Sequence, residues 1–167
     1  MRMIIVLALL LGYTSETGQD YTEKMAKYYG HELSYSLREL KGDWLGATLW
    51  TSGGCTWTNY LDRREWEDDL WKGVLAHEWA HSFLGKNCID EDEANKIALV
   101  VMARAEEYHA FCTWMHFLKH EKGWNTLDTI GELQDEQHIF GRSTSDQAEQ
   151  GCHIILFGIP VYAFDWD

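Results

Sequence analysis

Two helical patterns joined by a very short connection constrain this chain more than any other feature in it. In "DRREWEDDLWKGVLAHEWAHSFLG" the apolar residues Trp66, Leu70, Val74 and Leu84 share a face with His77 and His81; the pattern opens with acidic residues and stops at Gly85. The second pattern begins at Asp90, an N-cap with Glu93 three residues on. It carries Ala94, Ile97, Ala98, Val101 and Ala105 at helical spacing, which predicts one long helix ending near Gly123. Only residues 85–89 separate the two. A connection that short makes antiparallel neighbours, so the first turn of the second helix must lie beside the last turns of the first.

The remaining segments supply a frame for this hairpin. Residues 20–30, "DYTEKMAKYYG", predict a short helix through Tyr21, Met25 and Tyr28 that stops at Gly30. "HELSYSLREL" alternates Leu33, Tyr35 and Leu37 with polar residues, the period of a half-buried strand. "LGATLWTSGGCTWTNYL" reads as two β-rich runs parted by Gly53 and Gly54, a hairpin. The expected fold class is therefore α+β, with a small antiparallel sheet packed on the histidine-bearing helix and on a long following helix. Further C-terminal helices are expected, one through Leu127, Ile130, Leu133 and His138, and one capped by Ser143 or Ser145 and running to Ile155. Residues 157–166 are apolar enough to pack back on the core.

At 167 residues the chain fits a single domain. Its formal charge of −13 leaves too few clustered cations to neutralise phosphates, which excludes nucleic acid and anionic lipid surfaces as partners. Residues 1–15 have one Arg, then an uncharged stretch at 3–12, then small polar residues. This is the layout of a signal peptide and too short to span a bilayer, so residues 16–167 are expected as a single secreted or periplasmic domain without a stable membrane span. If the apolar run is a structural element instead, the protein is cytoplasmic. Cys55, Cys88, Cys112 and Cys152 contain no CxxC pair and can form two disulfides in three connectivities, or remain buried thiols inside a cell. Some of the nine tryptophans are expected in a cleft or surface patch and most in the core.

The chemistry lies in "HEWAH". Histidines four apart on a helix project from one face, and both imidazoles can reach one ion at roughly 2.0–2.1 Å. Glu78 stands beside the ion, where it can take a proton from an activated water. A catalytic zinc needs a third protein ligand and an open fourth position. Glu93, at the start of the neighbouring helix, can complete a His77/His81/Glu93 set; its alternative role is helix capping, and Glu91 and Asp92 are rivals for the ligand position. The bland alternative makes His77 and His81 satisfied core residues. His116 and His120, also four apart, lack the interposed Glu and read as a solvated helix face.

HExxH followed after a short loop by Glu on a second helix resembles the gluzincin class of zinc metallopeptidases. "EANKIA" after "HEWAH" is similar to the E-A-N-x-F-A pattern of small ImmA/IrrE-type metallopeptidases, and "LGATLW…GGCTWTNYL" resembles the paired strands lining the cleft of such minimal zincins. The likeness covers roughly residues 33–105. The gap from His81 to Glu93 is shorter than in the best-known members, and a secretory leader is unusual for intracellular regulators. The resemblance implies a minimal zincin-like domain that hydrolyses peptide bonds, with Zn²⁺ held by His77, His81 and Glu93 and with Glu78 as general base. It also implies an extended protein or peptide substrate paired along an edge strand near residues 55–59. A Tyr or His, among Tyr108, His109, His116, His120, His138 and His153, would stabilise the oxyanion. The alternative is a non-catalytic secreted interaction protein stabilised by zinc or by disulfides.

Overall fold

The computed structural model describes residues 18–66 and 68–123. The expected leader, the C-terminal helices, the tail, His138, Cys152 and His153 lie outside the described residues. Four helices and a three-stranded sheet form an α+β fold in the order α1 (Gly18–Tyr29), β1 (Ser36–Arg38), β2 (Gly46–Thr51), β3 (Gly54–Asp62), α2 (Leu70–Leu84), a 3₁₀ turn (Gly85–Asn87), α3 (Glu91–Arg104) and α4 (Tyr108–Lys122).

Helix α2 is the centre of this arrangement. Every residue from Lys72 to Ser82 is buried, because α1, α3, α4 and the sheet all pack on it. A helix so enclosed needs few polar positions, and the ones it keeps are therefore informative. From α1, the Tyr21 hydroxyl donates to the Lys72 carbonyl at 2.9 Å and the Tyr29 hydroxyl donates to the Ala76 carbonyl at 2.6 Å. Tyr29, not the expected Tyr28, is the third core residue of α1, since positions 21, 25 and 29 repeat every four residues while Tyr28 drifts to the surface. Trp79, fully buried, is ringed by Tyr21 and Tyr29 and donates its indole N–H to Ser34 O.

The sheet is mixed, not antiparallel. Its order is β1-β3-β2: the expected hairpin pairs β2 with β3, but β1 runs parallel to β3 through Ser36↔Tyr60 to Arg38↔Asp62. The strand expected over the whole of "HELSYSLREL" is three exposed residues long. Residues 55–59, expected at a sheet edge, lie in β3 with β2 along one side, and β1 pairs only with Tyr60 to Asp62 of that strand; β2 is the edge strand nearest Glu78.

The long helix expected from Asp90 to Gly123 is broken. Glu106 sits at φ 57, the Glu106 N–H donates to Ala103 O and the Glu107 N–H donates to Met102 O, the paired bonds of a Schellman end. The break turns the buried Glu107 carboxylate towards Lys24 of α1 and Lys72 of α2, with Lys72 Nζ at 3.2 Å. Tertiary ion pairing thus stops a helix whose local sequence has no Gly or Pro to stop it. Gly85 and Gly123 end α2 and α4 at positive φ, as expected.

Among the described residues a disulfide links Cys55, at the start of β3, to Cys88, in the connection between α2 and α3, and Cys112 is disulfide-bonded as well. Of the tryptophans, Trp79 and Trp114 are core, whereas Trp44 and Trp50 stand 66 % and 63 % exposed and so supply the expected surface aromatics.

Candidate metal centre

His77 and His81 lie one turn apart on α2, both buried, with their Nε2 atoms 2.9 Å from one another. The third group brought to them is Glu91, the first residue of α3: its carboxylate oxygens lie 3.1 Å from His77 Nε2 and 3.5 Å from His81 Nε2. The expected third ligand, Glu93, is not in this group. Residues two apart on a helix point about 200° apart, so only one of the two acids can face α2. Glu91 is in line with the buried Ala94, Asn95, Ala98 and Met102 of that face. Glu93 is exposed, and its N–H donates to Asp90 Oδ1 at 3.0 Å, so the capping reading holds for its backbone. Asp92, the other rival, is exposed and likewise outside the group.

The three residues offer ligand atoms all within 4.8 Å of one another and could hold a metal ion. Tetrahedral ligands at 2.0–2.1 Å from zinc are separated by about 3.3 Å; the two Nε2 atoms are 2.9 Å apart and Glu91 Oε2 is 3.1 Å from His77 Nε2, while the other Glu91 oxygen, Oε1, is 3.5 Å from His81 Nε2. The tautomer of His81 also fits. Its Nδ1 lies 2.6 Å from the Cys88 carbonyl, which can only accept, so Nδ1 carries the proton and Nε2 is left bare for a cation. The disulfide at Cys88 anchors that carbonyl. His77 Nδ1 is buried without a hydrogen-bond partner among the described residues, as is Asn95 Oδ1. The histidines are enclosed while the Glu91 side chain is 71 % exposed, which leaves the group open to solvent on one side.

Electrostatics in the group follow from burial and proximity. Hydrogen bonds to His77 and then to His81 hold the Glu91 carboxyl well below the usual carboxylate range. At His81, burial disfavours the imidazolium, but the bond to Glu91 and the charges of Glu78 and Glu91 outweigh it and raise the pKa. The cluster therefore favours positive charge, and its three residues could hold a metal ion.

Glu78 points from the same helix towards the sheet and is buried. Desolvation pushes its carboxyl above the usual range, against the lowering influence of His77 and of the Thr48 hydrogen bond. A carboxyl raised in this way holds a proton more readily than a solvated one. Thr48 of β2 lies with its Oγ1 2.6 Å from Glu78 Oε2. The close approach of β2 depends on Gly46, where a Cβ would fall 2.8 Å from Glu78 Cγ and Oε1 and 2.7 Å from Val74 Cγ1.

Of the residues considered for oxyanion stabilisation, His109 Nδ1 lies 3.1 Å from Asp69, and His116 and His120 stand exposed on α4 with ring centroids 4.3 Å apart. None of these, nor Tyr108, belongs to the metal-capable group. Sequence reasoning missed Thr48, Asn59 and Ser82 around Glu78, which belong to no motif. The buried polar positions Asn59 and Ser82 become visible only once β3 and α2 are placed together.

The fold and site thus define an α+β domain with a His/His/Glu group able to hold a metal ion beside a buried carboxylate. Searches of protein-family models, of curated proteins and of solved structures find nothing that matches this chain.

Proposed function

We propose that this chain is a zinc-dependent metallopeptidase of the HExxH type, built as a minimal zincin-like domain, with His77, His81 and Glu91 as metal ligands and Glu78 as general base. The observation that carries this reading is the placement of Glu78. A desolvated carboxylate next to two metal-capable histidines, tethered by Thr48, on a site that opens to solvent through Glu91, is what metal-assisted hydrolysis requires. A structural zinc would instead be closed by four protein ligands.

When bound, zinc supplies Lewis-acid polarisation of the scissile carbonyl and lowers the pKa of water. The residues of the chain do the rest. Glu78 accepts the proton of the attacking water and returns it to the leaving amine. Cys88 O keeps His81 in the ligating tautomer. The edge strand β2, which carries Thr48, offers its free main-chain groups to an extended protein or peptide substrate by strand addition. Export to an oxidising compartment is supported by the leader-like residues 1–15 and by the Cys55–Cys88 bond. No helix among the described residues is long and apolar enough to cross a membrane.

The test is Glu78→Gln. The variant is expected to keep its full zinc content and to lose hydrolysis of an unfolded protein substrate by about 10²–10⁴-fold, the usual contribution of a positioned base. Hydrolysis at the parent rate would remove Glu78 from the mechanism. A purified parent chain that contains no zinc would remove the metal.

A further inference from the structure

Behind Glu78 lies a polar network whose hydrogens do not at first add up. Thr48 Oγ1 is 2.6 Å from Glu78 Oε2, 2.8 Å from Glu78 O and 2.9 Å from Asn59 Oδ1. Ser82 Oγ is 2.7 Å from Thr56 O, 3.0 Å from Asn59 Oδ1 and 3.3 Å from Glu78 O. A hydroxyl has one proton to give, yet each of these faces three acceptors. Asn59 is 2 % exposed, and its Nδ2, which carries two protons, is buried with no partner among the described residues.

One change removes both the acceptor the two hydroxyls share and the orphaned donor. The two ends of a side-chain amide are told apart by their neighbours, and a half-turn exchanges them. With the Asn59 nitrogen facing Thr48 and Ser82, its two N–H groups donate one to each hydroxyl. The Thr48 proton is then left with Glu78 Oε2 at 2.6 Å and Glu78 O at 2.8 Å, of which the carboxylate is the nearer and the stronger acceptor, and the Ser82 proton with Thr56 O at 2.7 Å ahead of Glu78 O at 3.3 Å. What remains without a partner is a carbonyl oxygen, and buried acceptors are left under-satisfied more often than buried donors.

We propose that Thr48 and Asn59 are positioning residues for the general base: Asn59, through its N–H, commits the Thr48 hydroxyl to donate to Glu78 Oε2, which fixes the carboxylate and leaves Oε1 to exchange protons with the reacting water. This rests on the peptidase reading above. The network gives Glu78 a fixed orientation from the edge strand, and Ser82, one turn beyond it on α2, holds the second N–H of the same amide nitrogen to that helix.

The experiment uses the zinc-loaded full chain and an unfolded protein substrate. Thr48→Val is expected to lower kcat about 100-fold, the scale of a misplaced catalytic group, with KM within about threefold and with zinc content unchanged; Thr48→Ser should restore most of the lost rate. Asn59→Asp, which can only accept at neutral pH, should draw the Thr48 proton away from Glu78 and lower kcat by at least about tenfold. A readout independent of turnover is the ¹⁵N-labelled parent chain, in which one Asn59 Hδ2 proton should show a nuclear Overhauser contact to Thr48 Hβ and the other to Ser82 Hβ. Absence of both contacts overturns the amide orientation even if a variant fails to fold. A Thr48→Val enzyme as fast as the parent overturns the positioning role alone. A zinc-loaded parent that does not cut overturns the peptidase reading and this role with it.

Discussion

Glu91→Ala and Glu93→Ala form a pair that tests the assignment of the third ligand. Zinc sites with four protein ligands bind with about 10–16 kcal/mol, or roughly 2.5–4 kcal/mol per ligand. At 1.4 kcal/mol per tenfold, losing one ligand weakens binding about 60- to 700-fold. Glu91 is the acid within 3.1 Å of His77 Nε2 and 3.5 Å of His81 Nε2, so Glu91→Ala should show this loss, and Glu93→Ala should stay within about threefold of the parent. Competition with a chromophoric chelator gives the dissociation constants, and thermal melts give an independent check. Zinc at 100 times the parent Kd adds about 2.7 kcal/mol of stability, which for a chain of this size is about 5–11 °C. At that same zinc concentration Glu91→Ala should gain no more than roughly 0.6 kcal/mol, or about 1–2 °C. The Glu91 side chain is mostly exposed, so its truncation should not unfold the apoprotein. The reasoning is refuted if Glu93→Ala loses the zinc-dependent shift while Glu91→Ala keeps it.

Other expectations follow from the fold around the site. Replacing Cys55 and Cys88 by Ser opens a disulfide with a sequence separation of 33, which should cost about 3–4 kcal/mol by loop entropy. It should also weaken zinc about 10–100-fold by loosening the carbonyl that orients His81; denaturant titration and chelator competition read the two effects. Glu106→Gly should stabilise the fold by about 0.5–1 kcal/mol, because Glu106 holds positive φ at the end of α3 with its side chain exposed; a lower denaturation midpoint would contradict this. Hydrogen bonds from the Leu40 N–H and then from Arg64 keep the Asp62 carboxyl below its usual pKa. A depressed pKa contributes stability above the carboxylate range and loses it as pH falls, so Asp62→Asn should be less stable than the parent at neutral pH and converge with it in acid, as urea midpoints against pH will show.

The helix under "HEWAH", its end at Gly85 and the capped start at Asp90 were legible because each is written in local spacing and cap chemistry. The hairpin at Gly53 and Gly54 was legible for the same reason. What local rules left open was phase. Capping spacing favoured Glu93, whereas the buried stripe of α3, through Ala94, Asn95 and Ala98, selects Glu91; counting the acids on that stripe would have found it. Tyr28 against Tyr29 is also a matter of phase, there by one position. The break at Glu106 and the parallel pairing of β1 depend on partners far along the chain, Lys24 and Lys72 for the first and Tyr60 to Asp62 for the second. No periodicity encodes those. Thr48 and Asn59 were invisible for a further reason, since a single threonine and a single asparagine in β-rich runs look like any others until the strands meet α2.

The Cys55–Cys88 bond also bears on the order in which the molecule matures. Before oxidation those two sulfurs are thiols, and thiolates are soft ligands well matched to zinc. One of them belongs to the residue whose carbonyl already touches His81. A reduced chain meeting zinc therefore offers it two sulfur donors besides the histidines. Closing the disulfide first removes both rival donors and leaves nitrogen and oxygen ligands alone to take a metal, so the order of oxidation and metal loading decides which form of the protein is made.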